Sequence, residues 1–198
     1  MLYVGTGRYL GTQDLSDTHL VTGSAYQQTL YAIKDKNFDY GANIRTGATL
    51  VTQTLTLISS TDRGITNNPV DWSTQDGWMV DFNPSADPTP GERVNIDPRL
   101  VLGTLRVITN IPAGGGACAV GGTSKIYDFD FRTGSTVAGT GSVVGTSSDT
   151  LIVGQAIVQT QTGDIYGLNK REDTGDDTSK VKQKPGGSGI QRFSYRER

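Results

Sequence analysis

Asp35, Asn37 and Asp39 stand at alternate positions in the stretch Asp35-Lys-Asn37-Phe-Asp39-Tyr-Gly41. Oxygen-bearing side chains at the first, third and fifth places of a loop are how a calcium-binding turn opens. Two features depart from that pattern. The glycine falls one place late, and the twelfth position is Thr46, where a bidentate glutamate is expected. Asp and Asn in a turn after a strand explain the same residues equally well, because their side chains bond to nearby backbone. Asp173, Asp176 and Asp177 form a second acidic group, within a polar stretch.

Other chemistry is narrowly bounded. His19 is the only histidine and Cys118 the only cysteine. A His–Cys metal cluster is therefore excluded, and a serine triad would have to use His19 alone. No Gly-x-Ser-x-Gly elbow occurs. Cys118 lies in the glycine-rich run from Ala113 to Gly122, with no basic residue close in sequence to lower its thiol pKa. No disulfide can form within the chain. Gly5-x-Gly7-x-x-x-Gly11 and Gly139-x-Gly141-x-x-x-Gly145 are one residue too long for a dinucleotide loop, and no helical pattern follows either. Trp72 and Trp78 flank the acidic turn Asp76-Gly77. They suit either a sugar-stacking platform or packing beneath a loop. No catalytic, cofactor-binding or metal-binding residue is assigned.

The elements that would position these residues are strands. No window of a dozen residues carries apolar positions at helical spacing without interruption by glycine or threonine. Short runs rich in β-branched and aromatic residues recur: Leu2-Tyr-Val4, Thr29 to Ile33, Gly77 to Phe82, Glu92 to Ile96, Leu100 to Leu102 and Thr104 to Ile111. Between Thr49 and Ile58, Val51, Leu55 and Leu57 share one face, and Thr52, Thr54 and Thr56 the other. Tyr127, Phe129 and Phe131 alternate in the same way with Asp128, Asp130 and Arg132. Leu151 to Gln159 and Asp164 to Asn169 read as a hairpin closed by Thr160-Gln-Thr-Gly163. Residues 170–189 read as a polar, mobile segment, and Arg192 to Arg196 as a returning strand.

The chain has 198 residues, 26 of them glycine, with 34% apolar and 19% charged residues. That suits thin sheet cores and one domain, or part of a larger one. The net charge of −2 gives no field that would recruit nucleic acid or an anionic membrane. From Lys170 onward there are 8 Lys/Arg against 5 Asp/Glu, a local excess of +3. No apolar run approaches the length of a membrane-spanning helix. Met1 opens directly into a strand pattern, with no secretory signal ahead of it, which suggests a piece of a longer protein.

A unit repeats. Leu30-Tyr-Ala-Ile-Lys-Asp35, Ile126-Tyr-Asp-Phe-Asp130 and Ile165-Tyr-Gly-Leu-Asn169 share one form, and each tyrosine is expected to pack between neighbouring blades. A repeated strand unit predicts an all-β fold, a partial or C-terminal portion of a β-propeller with short antiparallel blades. The expected division is blades over residues 1–169, the mobile segment over 170–189 and the returning strand over 190–198. Too few strands for a closed ring leave edges that invite self-association.

Several phrases occur in a particular order: Val4-Gly-Thr-Gly-Arg-Tyr-Leu-Gly11, Tyr31-Ala-Ile-Lys-Asp35, Gly77-Trp78, Gly91-Glu-Arg-Val94, Gly121-Gly-Thr-Ser-Lys-Ile-Tyr127 and Ser194-Tyr-Arg-Glu197. Together they resemble the C-terminal β-propeller of the type IV pilus tip-associated proteins, PilY and PilC, over nearly the whole chain. The resemblance implies a secreted, cell-surface or outer-membrane-associated parent protein at the pilus tip. It implies roles in pilus assembly, cell adhesion and twitching motility, with minor pilins and a host or surface ligand as partners. It also places Arg198 near the family's natural C-terminus. Members can bind calcium through an Asp-rich loop, of which no good copy appears here. Many carry a second cysteine near the position of Cys118, which this chain lacks.

The expectation is a non-enzymatic binding module without a cofactor of its own. The segments Gly11–Gln28, Ser59–Gln75 and Asn83–Gly91 are the candidate contact loops. A quinone-type propeller dehydrogenase, whose blades also carry Tyr-Ala-x-Asp strand ends, and a generic interaction scaffold are the alternatives.

Overall fold

The computed structural model describes residues 1–7, 28–82, 91–113, 121–173 and 175–185. Its first half contains β1 (Leu2–Gly5), β2 (Thr29–Ile33), the single-turn α1 (Ile44–Gly47), β3 (Leu50–Leu57), β4 (Asp62–Ile65) and β5 (Gly77–Asp81). Then come β6 (Arg99–Val101), β7 (Thr104–Ala113), β8 (Gly121–Asp130) and β9 (Val143–Ser148). β10 (Ile152–Gln159), β11 (Ile165–Arg171) and β12 (Asp176–Lys180) complete the list. The all-β expectation holds, and the arrangement is consistent with a partial, propeller-like array.

Nine strands form one curled sheet in the order β1-β2-β5-β3-β4-β9-β8-β7-β6. β3 turns the corner. Leu50 to Thr54 pair in parallel with β5, and Leu55 to Leu57 pair antiparallel with β4. The sheet thus folds over on itself, and side chains from its two limbs meet inside. The sequence places one repeat unit in each limb, on β2 and β8. The third, on β11, lies in a separate sheet of order β10-β11-β12.

Alternation decides what is enclosed. Ala32, Trp78 and Val51 occupy one row across β2, β5 and β3, and Leu30, Val80 and Gln53 another. They face Leu105 and Val107 of β7 and Tyr127 and Phe129 of β8. Tyr127 stacks on Phe129 at 5.4 Å and meets Phe82 at 5.5 Å, while Trp78 meets Phe129 at 6.0 Å. The Trp78 indole N–H donates to the Phe131 carbonyl at 3.2 Å, so the ring is buried without an orphaned donor. Each such side chain contributes about 1.5–3 kcal/mol by leaving water. Two glycines make room for these rings. A Cβ on Gly145 would lie 2.4 Å from the Tyr127 ring, and one on Gly134, at φ +70°, 2.4 Å from Trp78.

Several expectations change in detail. Of the three repeat tyrosines, Tyr127 alone lies inside the curl. Tyr31 shares a row with Val4, Met79 and Thr52, facing away from the core, and Tyr166 sits in register with Val158 and Lys180 on the outer face of the small sheet. A repeat in sequence fixes strand identity, but which face is covered depends on the neighbouring sheet. Leu57, expected on the buried face of its strand, is 37% exposed, because β3 has by then left the core. Glu92 to Ile96 form a single bridge, Arg93 to Asn110, in place of a strand. The polar segment from Lys170 contains the end of β11 and all of β12, which gain their backbone partners from each other. Arg192 to Arg196 lie outside the described residues.

The small sheet is held against β7 and β8 by a buried ion pair. Arg106 and Asp128 face each other in register and bond twice, at 2.7 and 2.8 Å, with side chains 1% and 5% exposed. The remaining guanidinium hydrogens reach the Ser179 and Lys180 carbonyls, at 3.0 and 2.9 Å, and the Ser179 hydroxyl at 2.9 Å. Asp128 also accepts from the Lys182 backbone N–H at 3.1 Å. Gly167 permits the approach, since a Cβ there would lie 2.5 Å from the Arg106 guanidinium. Removing one partner leaves the other charged and dry, at a cost of about 3–5 kcal/mol. Arg106→Leu is therefore expected to lower stability by that amount in urea denaturation. Adding Asp128→Leu should recover most of it, and a loss below about 1 kcal/mol for the single change would refute the staple.

Candidate functional site

Strand ends and one turn build a recess among the described residues. Lys34 and Asp35 follow β2, Phe131 and Arg132 follow β8, and Trp72 comes from the turn before β5. With Met1 they line a surface pocket of about 290 Å³. The Lys34 ammonium donates to the Trp72 carbonyl at 2.8 Å, tying the turn to the strand end. The turn is also braced from within. Asp71 accepts from the Ser73 N–H and hydroxyl at 2.9 and 2.6 Å, which holds its carboxyl below the usual carboxylate range. Asp76 accepts from the Thr49 N–H at 2.9 Å and pairs with Lys36; that pairing foremost lowers its pKa.

Trp72 is half-buried and packs on the edge of the main core, leaving part of its ring toward the pocket. The Arg132 guanidinium beside it has no hydrogen-bond or ion-pair partner among the described residues. An aromatic face with an adjacent cation can hold a flat or ring-shaped group that carries an acid. Trp78 takes no part, being 0% exposed.

A second feature lies inside the curl. Glu92 is fully buried and accepts from the Thr109 and Tyr127 hydroxyls, both at 2.8 Å, through one carboxylate oxygen. Its other oxygen has no hydrogen-bond partner among the described residues. Burial pushes the Glu92 carboxyl up to about 7, against the opposing pull of Lys125, the two hydroxyls and Arg63. Nothing in the sequence marked Glu92, since a lone Glu after a glycine carries no periodic signal. Arg106 and Asp128 were legible as charges within alternating strands, but their pairing required the β7–β8 register.

The sequence candidates fall as follows. The Asp35 and Asp39 carboxylates accept from the backbone N–H groups of Asn37 and Gly41, at 3.0 and 2.7 Å, and Thr46 bonds to the Asn43 carbonyl at 3.2 Å. Asp173 pairs with Arg171 at 3.2 Å and Asp176 with Lys170 at 3.0 Å. Among the described residues no three His, Cys, Asp or Glu side chains come together as a metal set. Gly5 and Gly7 serve close packing, since Cβ atoms there would lie 2.3 Å from Val94 and 2.7 Å from Arg93. Gly139 does the same against Pro185, at 2.6 Å. The contact segment Ser59–Gln75 contains β4, so its loop portions are 59–61 and 66–75. His19, Cys118 and the segments Gly11–Gln28 and Asn83–Gly91, apart from Gln28 and Gly91, lie outside the described residues. Among the described residues no helix is long and apolar enough to cross a membrane.

The chain is 28% identical over 140 residues to the type IV pilus biogenesis factor PilY1 homolog of Xylella fastidiosa. The match takes in 70% of this chain and 9% of that protein, so the chain spans a small part of its relative's length. No family model matches the chain, and no solved structure matches it.

The Glu92 environment predicts a pH dependence. A carboxyl whose folded pKa is raised binds more protons folded than unfolded, so its contribution to stability falls as pH rises from its ordinary 4.5 to about 7. The shift corresponds to about 3 kcal/mol. Chemical denaturation of the wild type and Glu92→Gln between pH 4.5 and 8 is expected to show this slope in the wild type and its loss in the variant. Parallel slopes would show that Glu92 does not titrate there.

Proposed function

We propose that this chain is a non-enzymatic binding module of a type IV pilus tip protein, acting in pilus biogenesis, adhesion and twitching motility. The observation that carries the reading is the 28% identity to a pilus biogenesis factor across most of the chain. The physical arrangement supports it. The buried Arg106 and Asp128 are engaged in bracing the two sheets, while the pocket at the strand ends offers a fixed aromatic and a cation. Rigid strands that carry such a rim suit recognition. The partners are minor pilins, or a ligand on the surface being gripped, and the place of action is the pilus tip at the cell surface.

Trp and Arg are the residue types that most often dominate binding energy at interfaces. Co-elution of the purified chain with the minor pilins encoded beside its parent gene is the expected result. Trp72→Ala and Arg132→Ala should each weaken that complex about tenfold, or about 1.4 kcal/mol, with unchanged far-UV circular dichroism. If no minor pilin co-elutes, the minor-pilin reading fails. If the complex forms and ignores both substitutions, the contact lies elsewhere on the chain.

A further inference from the structure

The sequence marks Trp72 as a candidate sugar-stacking platform, and the pocket it borders is held in shape by the protein itself. The Lys34 ammonium fastens the Trp72 carbonyl at 2.8 Å, and the Gln75 side chain accepts from the Asp71 N–H at 2.7 Å within the same turn. The Phe131 carbonyl accepts from the Tyr3 hydroxyl and from the Trp78 indole N–H, each at 3.2 Å. Trp72 and Phe131 also pack on the edge of the main core. Two aromatic side chains are therefore set at the pocket before a ligand arrives, which keeps the ordering cost of binding low.

The charged groups at the pocket narrow the ligand further. Lys34 and Arg132 can only donate hydrogen bonds, and an ionised Asp35 can only accept them. Neither cation forms an ion pair among the described residues. One Asp35 oxygen accepts from the Asn37 N–H at 3.0 Å, and the other has no hydrogen bond among the described residues. A simple acid, such as an Asp or Glu side chain, would suit the two cations but bring Asp35 a second carboxylate and no hydrogen. A neutral sugar would offer hydroxyls to Asp35 and a C–H face to Trp72, yet leave two cations facing one carboxylate. A sugar acid answers every group. Its C–H face covers the indole, a hydroxyl donates to Asp35, and its carboxylate takes the two-pronged bond that a guanidinium favours. At about 290 Å³ the pocket lies at the small end of ligand sites, a size for one such ring.

We propose that the Trp72 pocket binds a carboxylated pyranose, a hexuronate unit of an acidic glycan, with its ring on Trp72, its carboxylate on Arg132 and a hydroxyl on Asp35. The inference rests on the reading of this chain as a binding module and names the chemistry of its surface ligand.

Intrinsic fluorescence of the purified chain tests it. The chain has two tryptophans, and Trp78 is 0% exposed, so Trp72 is the indole that a ligand can reach. Methyl β-glucuronide is expected to give a saturable change with a dissociation constant on the order of 1 mM, the scale for a ligand of so few atoms. Methyl β-glucoside and N-acetylaspartate amide should each bind about tenfold more weakly. Arg132→Gln, at an exposed position, should lower the glucuronide to the level of the glucoside without altering the circular dichroism spectrum. No saturable response to the glucuronide overturns the proposal. Equal binding of glucoside and glucuronide overturns it too, since the carboxylate would then go unread. N-Acetylaspartate amide binding as tightly as the glucuronide overturns it and gives the pocket to acidic peptide segments. No pilin is present in the titration, so failure here is distinct from failure of the minor-pilin complex to form.

Discussion

The ion pair between Arg106 and Asp128 is the constraint around which the two sheets are arranged. It sits on the outer side of the strands whose inner side carries Tyr127 and Phe129, so one β-hairpin serves two cores. An exposed pair of this kind would contribute little. Here the guanidinium is almost dry, and its other hydrogens are taken by the Ser179 and Lys180 carbonyls. Those bonds fix where β12 ends and how the chain continues. Further links run along the same line, from the Thr104 hydroxyl to the Lys182 carbonyl at 2.6 Å and from Lys184 to Asp130 at 2.8 Å. A small sheet with a modest apolar patch, centred on Ile108, Ile126 and Ile152, is thereby held by polar geometry as much as by burial.

The two sides of β8 illustrate different solutions to one problem. On the inner side, aromatic rings fill space against glycine, and the buried Lys125 on the same face donates to the Ser147 hydroxyl at 3.0 Å. On the outer side, Asp128 would be costly if dry and unpaired, and it is tolerated because Arg106 and the Lys182 backbone N–H reach it. Glu92 is a third case, with one oxygen bonded twice and the other without a hydrogen bond among the described residues. Burial there raises the carboxyl's pKa against the pull of Lys125 and the two hydroxyls.

The rim pocket depends on the same framework at one remove. Lys34, Asp35, Phe131 and Arg132 continue from strands whose positions the core sets. The Trp72 turn is then fastened to that edge through Lys34, and to itself through Asp71. A site made this way has fixed geometry although most of its residues lie in turns.

The sequence by itself determined strand identity and the alternation of faces. Val51 and Leu55 against the threonines of β3, and Tyr127 and Phe129 against Asp128 and Asp130, were readable because side-chain direction in a strand is a local, period-two property. The turn at Thr160 to Gly163 was readable for a similar reason, since a hairpin closes within a few residues. Tertiary structure decided which faces became interior. Tyr31, Tyr127 and Tyr166 occupy the same place in the repeat, yet only Tyr127 is enclosed by the curl, because enclosure depends on a sheet brought up from elsewhere in the chain. It likewise decided that Arg106 meets Asp128, that Glu92 is dry, and that Trp72 rather than Trp78 borders the pocket. These are contacts between residues distant along the chain, set by register and sheet packing, and no local pattern encodes them.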